Sequence, residues 1–317
     1  MGKTVSENTL ENLKVIPTGG PLGTEIDGID FAQPVPDDVK DALRQAWADH
    51  SILIFHGQHI NDAQLIDASN IFGGVQVGGA RAYFMRDGAD KNEQLLSEHP
   101  EITPITNLGP DGEPVKANAG LGSAEVVWHS DNSYVEVPPA GSMLYALELP
   151  TNGGGDTFFN SQYLAYETLP DDLKEAIDGK YQVHDASRNS AGVLRPTAKL
   201  PTKPEEVEGP THPLVRIHPV TGKPALYLGR RRVWPSNYIV GLSNEESEAL
   251  LDRLWEHATQ EKFAIMHVWK PGDAVVWDNR CAMHYRSEVD ATQRRVLHRT
   301  QIKGEPMIAP WDKTAAA

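Results

Sequence analysis

Two histidines in the sequence carry a carboxylate two positions on: His99-Pro100-Glu101 and His129-Ser130-Asp131. Joined by one more imidazole, such a pair makes a two-histidine, one-carboxylate face on a divalent metal. The remaining coordination positions stay open for a chelating cosubstrate and dioxygen. In a chain with 12 His and 44 Asp plus Glu the spacing also arises by chance, so context must choose between the two. On a strand, residues i and i+2 project from one face, about 6–7 Å apart at Cα, and can converge on one ion. His129 follows Val126-Val127-Trp128, a β-prone apolar run. His99 precedes a proline in Ser97-Glu98-His99-Pro100, which predicts a surface loop. The metal role therefore falls to His129 and Asp131.

A third ligand has several candidates. His212 and His218, in THPLVRIHP, adjoin prolines and read as structural residues at strand ends. His184, His257 and His267 have no supporting context. His284 follows a buried strand at 274–280 that breaks into a turn, and an arginine-rich strand lies just downstream, which makes it the best third ligand. In that downstream run, RRVLHR over 294–299, alternation puts Arg295, Leu297 and Arg299 on one face. In so acidic a chain this face can be a solvated one paired with surface carboxylates. Pointed inward, its planar guanidinium groups would bind carboxylates bidentately and hold a dianionic cosubstrate. The neighbourhood of His284 favours the inward reading.

The elements that must position these groups are mostly strands. Short strands separated by glycine turns are expected over Val15–Gly20 and Leu22–Ile26, with residues 1–14 frayed. PDDVKDALRQAWADH, from Pro36, has apolar Val39, Leu43, Ala46 and Trp47 at helical spacing and leads into the buried strand SILIF. A second helix is expected over 62–72. Residues 73–125, rich in Gly, Pro, Asn and Asp, predict a long irregular region over one mouth of the fold, from which substrate loops would come. Strands follow from Val126 to Leu149, then the turn NGGGD, a helix over 162–177, strands over 211–228, a helix over 244–259 and strands over 263–302. Many short strands with few helices predict a mainly β fold with flanking helices, a sandwich or barrel, and no repeat or linker divides residues 1–317 into more than one domain.

Composition narrows the partners. A net charge of −15 disfavours nucleic acid and anionic membranes, and no apolar stretch approaches the length of a membrane span. The single cysteine, Cys281, leaves no internal disulfide and fits a reducing cytoplasm.

Several segments together resemble the taurine dioxygenase and 2,4-dichlorophenoxyacetate dioxygenase family of iron(II)/2-oxoglutarate enzymes. They are PLGTEIDGIDF, AWADHSILIFHGQ, WHSDNSYVEVPPAG, GGGDT, WDNRCAMH and QRRVLHRTQIKG, in family order from about residue 13 to 304. The resemblance implies a double-stranded β-helix, or jelly roll, with Fe(II) on His129, Asp131 and His284, and 2-oxoglutarate and O2 as cosubstrates. Arg295 falls on the arginine for the distal carboxylate of 2-oxoglutarate, Thr157 on its hydroxyl partner, and Arg299 on the arginine that holds a substrate's anionic group. Glu125 stands where taurine dioxygenase has an asparagine facing substrate, so the pocket is not built for taurine. Tyr83, in a stretch longer than that enzyme's, is the candidate counterpart of its substrate-contacting tyrosine, and Arg230 is a weaker candidate for substrate binding. The implied reaction is hydroxylation of an aliphatic C–H in a small anionic substrate, with C–heteroatom cleavage where the hydroxylated carbon bears a leaving group. The resemblance also implies a homo-oligomer, a dimer or tetramer. A zinc hydrolase with the same ligand types, or a jelly-roll protein that binds metal or anion without turnover, remains the alternative.

Overall fold

The computed structural model describes residues 7–77, 97–109, 111–114, 126–188, 194–195, 198–229 and 234–312. The chain enters through the antiparallel pair β1 (Lys14–Pro17) and β2 (Thr24–Asp27). α1 (Asp37–His50) begins after Pro36 with Asp37 and Asp38 at its positive end, and buries Val39, Leu43, Ala46 and Trp47 along one stripe. It ends where Ser51 turns left-handed (φ 66°) and its N–H bonds the Trp47 carbonyl, throwing the chain into the fully buried β3 (Ile52–Phe55). α2 (Asp62–Asn70) starts from a reciprocal cap between Asn61 and Gln64. β4 (Val75–Gln76), β5 (Thr103–Thr106), β6 (Val126–His129), β7 (Gly141–Glu148) and β8 (Thr157–Ser161) follow. Then come α3 (Gln162–Glu167), α4 (Asp171–Ile177), β9 (Tyr181–Val183), β10 (Thr211–Pro213), β11 (Val215–Ile217), β12 (Pro224–Leu226) and β13 (Tyr238–Ile239). α5 (Asn244–Ala258), with a Ser243/Glu246 capping box, leads into β14 (Ala264–His267), β15 (Ala274–Asp278), β16 (Ala282–Arg286) and β17 (Val296–Ile302).

Two sheets dominate. The larger runs β1-β2-β3-β15-β7-β17-β4 with β5 also on β17, and the smaller runs β14-β8-β16-β6. Pairing is antiparallel throughout, apart from β2 with β3. The continuous apolar run of β3 has a direct reason: Leu53 and Phe55 face α1 and α2, while Ile52 and Ile54 face the core that includes Phe159 of the smaller sheet. Gly141 lets α1 approach β7, because a Cβ there would sit 2.6 Å from Trp47 Cζ2 and 2.7 Å from the Trp277 carbonyl. Trp47, 4% exposed and packed edge-on to Phe72 at 5.4 Å, anchors that contact.

Four sequence expectations change. Strands form 29% of the described residues, so the architecture is mixed α/β with several sheets rather than mainly β; α3, α4 and α5 build a separate apolar cluster beside the smaller sheet. The helix expected over 162–177 is two helices, since Pro170, which has no N–H to donate, starts α4. The region expected to be irregular contributes β4 and β5 to β17. At the N-terminus, Asn8 is buried and its amide donates to the carbonyls of Asp30 (2.9 Å) and Pro34 (3.1 Å) while its Oδ1 accepts from Asp30 N, so 7–13 are tied down rather than frayed. No helix among the described residues is long and apolar enough to cross a membrane.

Candidate active site

The centre of the smaller sheet assembles the metal-type ligands. β16 lies between β8 and β6, and its register sets His284 directly opposite His129. The two imidazoles lie 4.1 Å apart between ring centroids. The chain leaves the ladder after His129, and Asn132 turns it with φ 49°. Asp131 therefore reaches its place from a turn, not by the strand alternation its spacing predicts. Ser142 Oγ, on β7 of the larger sheet, donates to Asp131 Oδ2 at 2.7 Å and ties the ligand across to that sheet.

The donor set fits one ion. Asp131 Oδ1 is 3.6 Å from His129 Nε2 and 3.9 Å from His284 Nε2, and all three side chains are buried. Bonds of about 2.0–2.2 Å from a single metal can bridge each of these pairs. His129 Nδ1 lies 2.8 Å from the Val127 carbonyl, which requires the proton on Nδ1 and leaves Nε2 with its lone pair for the metal. Burial pushes the Asp131 carboxyl up, but the Arg299 guanidinium, His129 and His284 outweigh it and hold the group well below the usual carboxylate range. The Asp131 carboxylate is an anion at neutral pH.

His218, Asp278 and Cys281 form a second buried cluster of ligand-type atoms. Here the valences are taken. His218 Nε2 bonds Asp278 Oδ2 at 3.0 Å, its Nδ1 accepts from the backbone N–H of Val220 and Thr221, and Arg280 grips both Asp278 oxygens at 2.8 and 2.6 Å. This network is structural, as the proline context of His218 predicts.

The cosubstrate candidates come together one step along the same face. On β16 and β8, His284 faces Phe159 and Arg286 faces Thr157. Thr157 is buried, and its Oγ1 accepts from Trp269 Nε1 at 2.9 Å, so the hydroxyl proton is left to donate elsewhere. Arg295 is 1% exposed. Its Nη2 donates to the Gly155 carbonyl at 3.1 Å, while its Nε and Nη1 meet no hydrogen-bond partner among the described residues. Burial first, then the charge of Arg286, bring its guanidinium down to about 9, still protonated at neutral pH. Orphaned buried donors of a cation are costly and call for an anion. The solvated-face reading of Arg295 and Arg299 is thus overturned: Leu297 between them is fully buried and Arg299 turns inward. Arg299 Nη1 contacts both Asp131 oxygens at 3.2 Å, so this guanidinium sits at the ligand carboxylate itself.

Tyr83, Glu125 and Arg230 lie outside the described residues. Three residues packed around these groups escape sequence reasoning: Ser142, Trp269 and Arg286. Only Arg286 leaves a local signal, since it is two residues from His284 on one strand; Ser142 and Trp269 arrive from strands whose pairing no local pattern states.

Comparison with known proteins identifies the family. The family described as taurine catabolism dioxygenase TauD, TfdA matches residues 14–301. The alpha-ketoglutarate-dependent 2,4-dichlorophenoxyacetate dioxygenase of Burkholderia sp. (strain RASC) is 34% identical over 272 residues, covering 85% of this chain and 86% of that protein. The (S)-phenoxypropionate/alpha-ketoglutarate-dioxygenase of Sphingobium herbicidovorans is 30% identical over 311 residues, covering 92% and 95%. Among solved structures, AAD-2 in complex with Mn(II) and N-oxalylglycine superposes with a TM-score of 0.75 at 28% identity, over 94% of this chain and 99% of that one. These neighbours imply the double-stranded β-helix. The chain belongs to the TauD/TfdA family and is an α-ketoglutarate-dependent dioxygenase.

Proposed function

We propose that His129, Asp131 and His284 hold Fe(II), that Arg295 and Thr157 receive the distal carboxylate of 2-oxoglutarate, and that the enzyme hydroxylates an aliphatic C–H of a small anionic substrate. The observation that carries this reading is the pair of donors on buried Arg295 that find no partner among the described residues, held at the Gly155 carbonyl two residues before Thr157. Thr157 and Phe159 are two residues apart on one strand face, about 6–7 Å, and Phe159 faces His284 across the ladder. That separation suits a five-carbon diacid reaching from the ligands to Arg295. A hydrolase or a non-catalytic metal binder leaves the Arg295 donors without a role.

The bound metal would supply dioxygen activation and oxidising power. The chain's own groups do the rest. The Val127 carbonyl fixes the His129 tautomer, and Ser142 and Arg299 keep Asp131 anionic and oriented. Arg295, with the Thr157 hydroxyl proton freed by Trp269, clamps the diacid in one orientation by charge-assisted hydrogen bonds. Arg299, placed against the metal carboxylate, is the group to meet a substrate anion, which would share Nη1 with Asp131. The relatives' substrates, dichlorophenoxyacetate and phenoxypropionate, are carboxylates with an ether oxygen, which supports an anionic substrate here. Hydroxylation of a carbon bearing such an oxygen gives a hemiacetal-type product that collapses to a carbonyl compound and the leaving group.

The test is an anaerobic titration of Fe(II)-loaded protein with 2-oxoglutarate. A visible metal-to-ligand charge-transfer band is expected, and its loss in His129→Ala; a folded, iron-loaded protein with no band overturns the assignment. Succinate release then screens small anions as substrates. An Arg299→Ala variant with unchanged apparent substrate affinity would remove the anion from the reading.

A further inference from the structure

Arg286 has no part in the reading above, yet the fold seals it beside Arg295. It is more than nine-tenths buried, on the residue of β16 that faces Thr157 in register, with the same side-chain parity as the ligand His284. The segment after it folds back on the glycine turn: Ser287 N–H bonds the Asp156 carbonyl, Gly155 N–H bonds the Glu288 carbonyl, and Gly154 bridges Val289. Gly155 is also where Arg295 is held, a Cβ there lying 2.7 Å from Arg295 Nε. Arg286, Thr157 and Arg295 therefore converge on one end of the site. Both arginines are thus placed around the same Gly155–Thr157 stretch, Arg295 through the Gly155 carbonyl and Arg286 opposite Thr157, and the charge of Arg286 lowers the Arg295 pKa. Two like charges in a low-dielectric interior repel, and the repulsion is relieved when an anion enters between them.

We propose that Arg286 is a second cation of the dicarboxylate pocket, so that discrimination for a diacid over a monoacid is set by two guanidiniums and the Thr157 hydroxyl rather than by Arg295 and Thr157 alone. This rests on the 2-oxoglutarate reading and deepens it. Arg286 acts on the distal carboxylate only; the keto-acid end, two residues along the strand at the metal ligands, is beyond it. A monoacid of the same chain length loses what Arg286 supplies and is indifferent to its removal.

The experiment compares binding of 2-oxoglutarate and of 2-oxopentanoate, which lacks the distal carboxylate, to anaerobic Fe(II)-loaded wild type, Arg286→Gln and Arg286→Lys. Calorimetry and the charge-transfer band read the binding, and thermal unfolding is followed with and without acid. The expected result is a fall of about tenfold or more in 2-oxoglutarate affinity in Arg286→Gln with 2-oxopentanoate unchanged, and partial recovery in Arg286→Lys. The melting shift of the Gln variant on addition of 2-oxoglutarate should be smaller than that of wild type. A variant that keeps the wild-type ratio between the two acids, or weakens both equally with a lower melting point, overturns the proposal and makes Arg286 structural. Arg286→Met, of similar volume and no charge, gives the same comparison should glutamine not fold. Wild type that binds neither acid overturns the parent reading and this one with it, whereas a normal wild type beside an unchanged variant overturns this one alone.

Discussion

Replacing Ser142 by alanine should weaken metal binding about tenfold without unfolding the protein. The hydroxyl is fully buried and donates at 2.7 Å to the outer oxygen of Asp131, while its own oxygen accepts from Asn279 Nδ2 at 3.3 Å. A hydrogen bond to a buried charge contributes about 1.5–3 kcal/mol, which at roughly 1.4 kcal/mol per decade corresponds to about 10–100-fold in affinity. Groups that orient metal ligands show about that range. The lower end applies here, because Arg299 Nη1 stays 3.2 Å from both carboxylate oxygens and continues to orient the anion. Stability should fall by about 1 kcal/mol as Asn279 loses an acceptor, with little cavity cost since only one oxygen leaves. Anaerobic titration of metal-free protein with Fe(II) or Mn(II) against a competing chelator measures the affinity, and thermal unfolding measures the rest. A variant that binds metal within twofold of wild type would show that the β7 contact does not orient Asp131, and the two-sheet account of the ligand would be wrong.

Other changes probe separate links. Gly155→Ala places a Cβ on a residue at φ +73°, 2.7 Å from Arg295 Nε and 2.8 Å from Val289 Cγ2; a loss of about 1–3 kcal/mol in unfolding and weaker 2-oxoglutarate binding are expected, and an unaltered Arg295 site would contradict the packing described. Trp269→Phe keeps the ring but removes the N–H that holds Thr157 Oγ1 at 2.9 Å; KM for 2-oxoglutarate should rise several-fold with kcat little changed, and an equal fall in both would refute a binding role. The pH dependence of stability should show His56. The bond to Asp273 at 2.7 Å, working against partial burial, raises the His56 pKa, so its contribution is full below the ordinary value of about 6.5 and fades as pH rises through the raised one. Asp273, lifted by burial but lowered to about 2 by hydrogen bonds from His267 and His56, keeps its own contribution until well below pH 4. His56→Gln should therefore flatten the decline in melting temperature as pH rises above about 6.5; a decline of unchanged slope would assign it to other groups.

Local periodicity was enough for the parts of the fold whose information is local. α1 is written in the spacing of Val39, Leu43, Ala46 and Trp47, α5 in its Ser243/Glu246 cap, and the inward face of the last strand in the alternation of Arg295, Leu297 and Arg299. The residue types of the candidate metal site were legible in the same way, as two imidazoles and a carboxylate in a β-rich chain, and the fold brings them together. Pro170 also carried its message, which helical periodicity on both sides concealed. What the sequence could not state is which strand lies beside which. His284 meets His129 because β16 pairs with β6 in one register, and a slip of one residue would turn the imidazole to the opposite face. The same register sets Arg286 against Thr157, and β7, from the other sheet, delivers Ser142 to Asp131. Asp131 leaves its strand altogether, so it comes beside His129 and His284 from a turn and not by the i+2 alternation its spacing predicts. Hydrogen-bond ladders between distant segments obey no local period, and burial of both faces of the sheets selects one pairing; that selection, made only in the folded chain, decides which of the many polar side chains become a site.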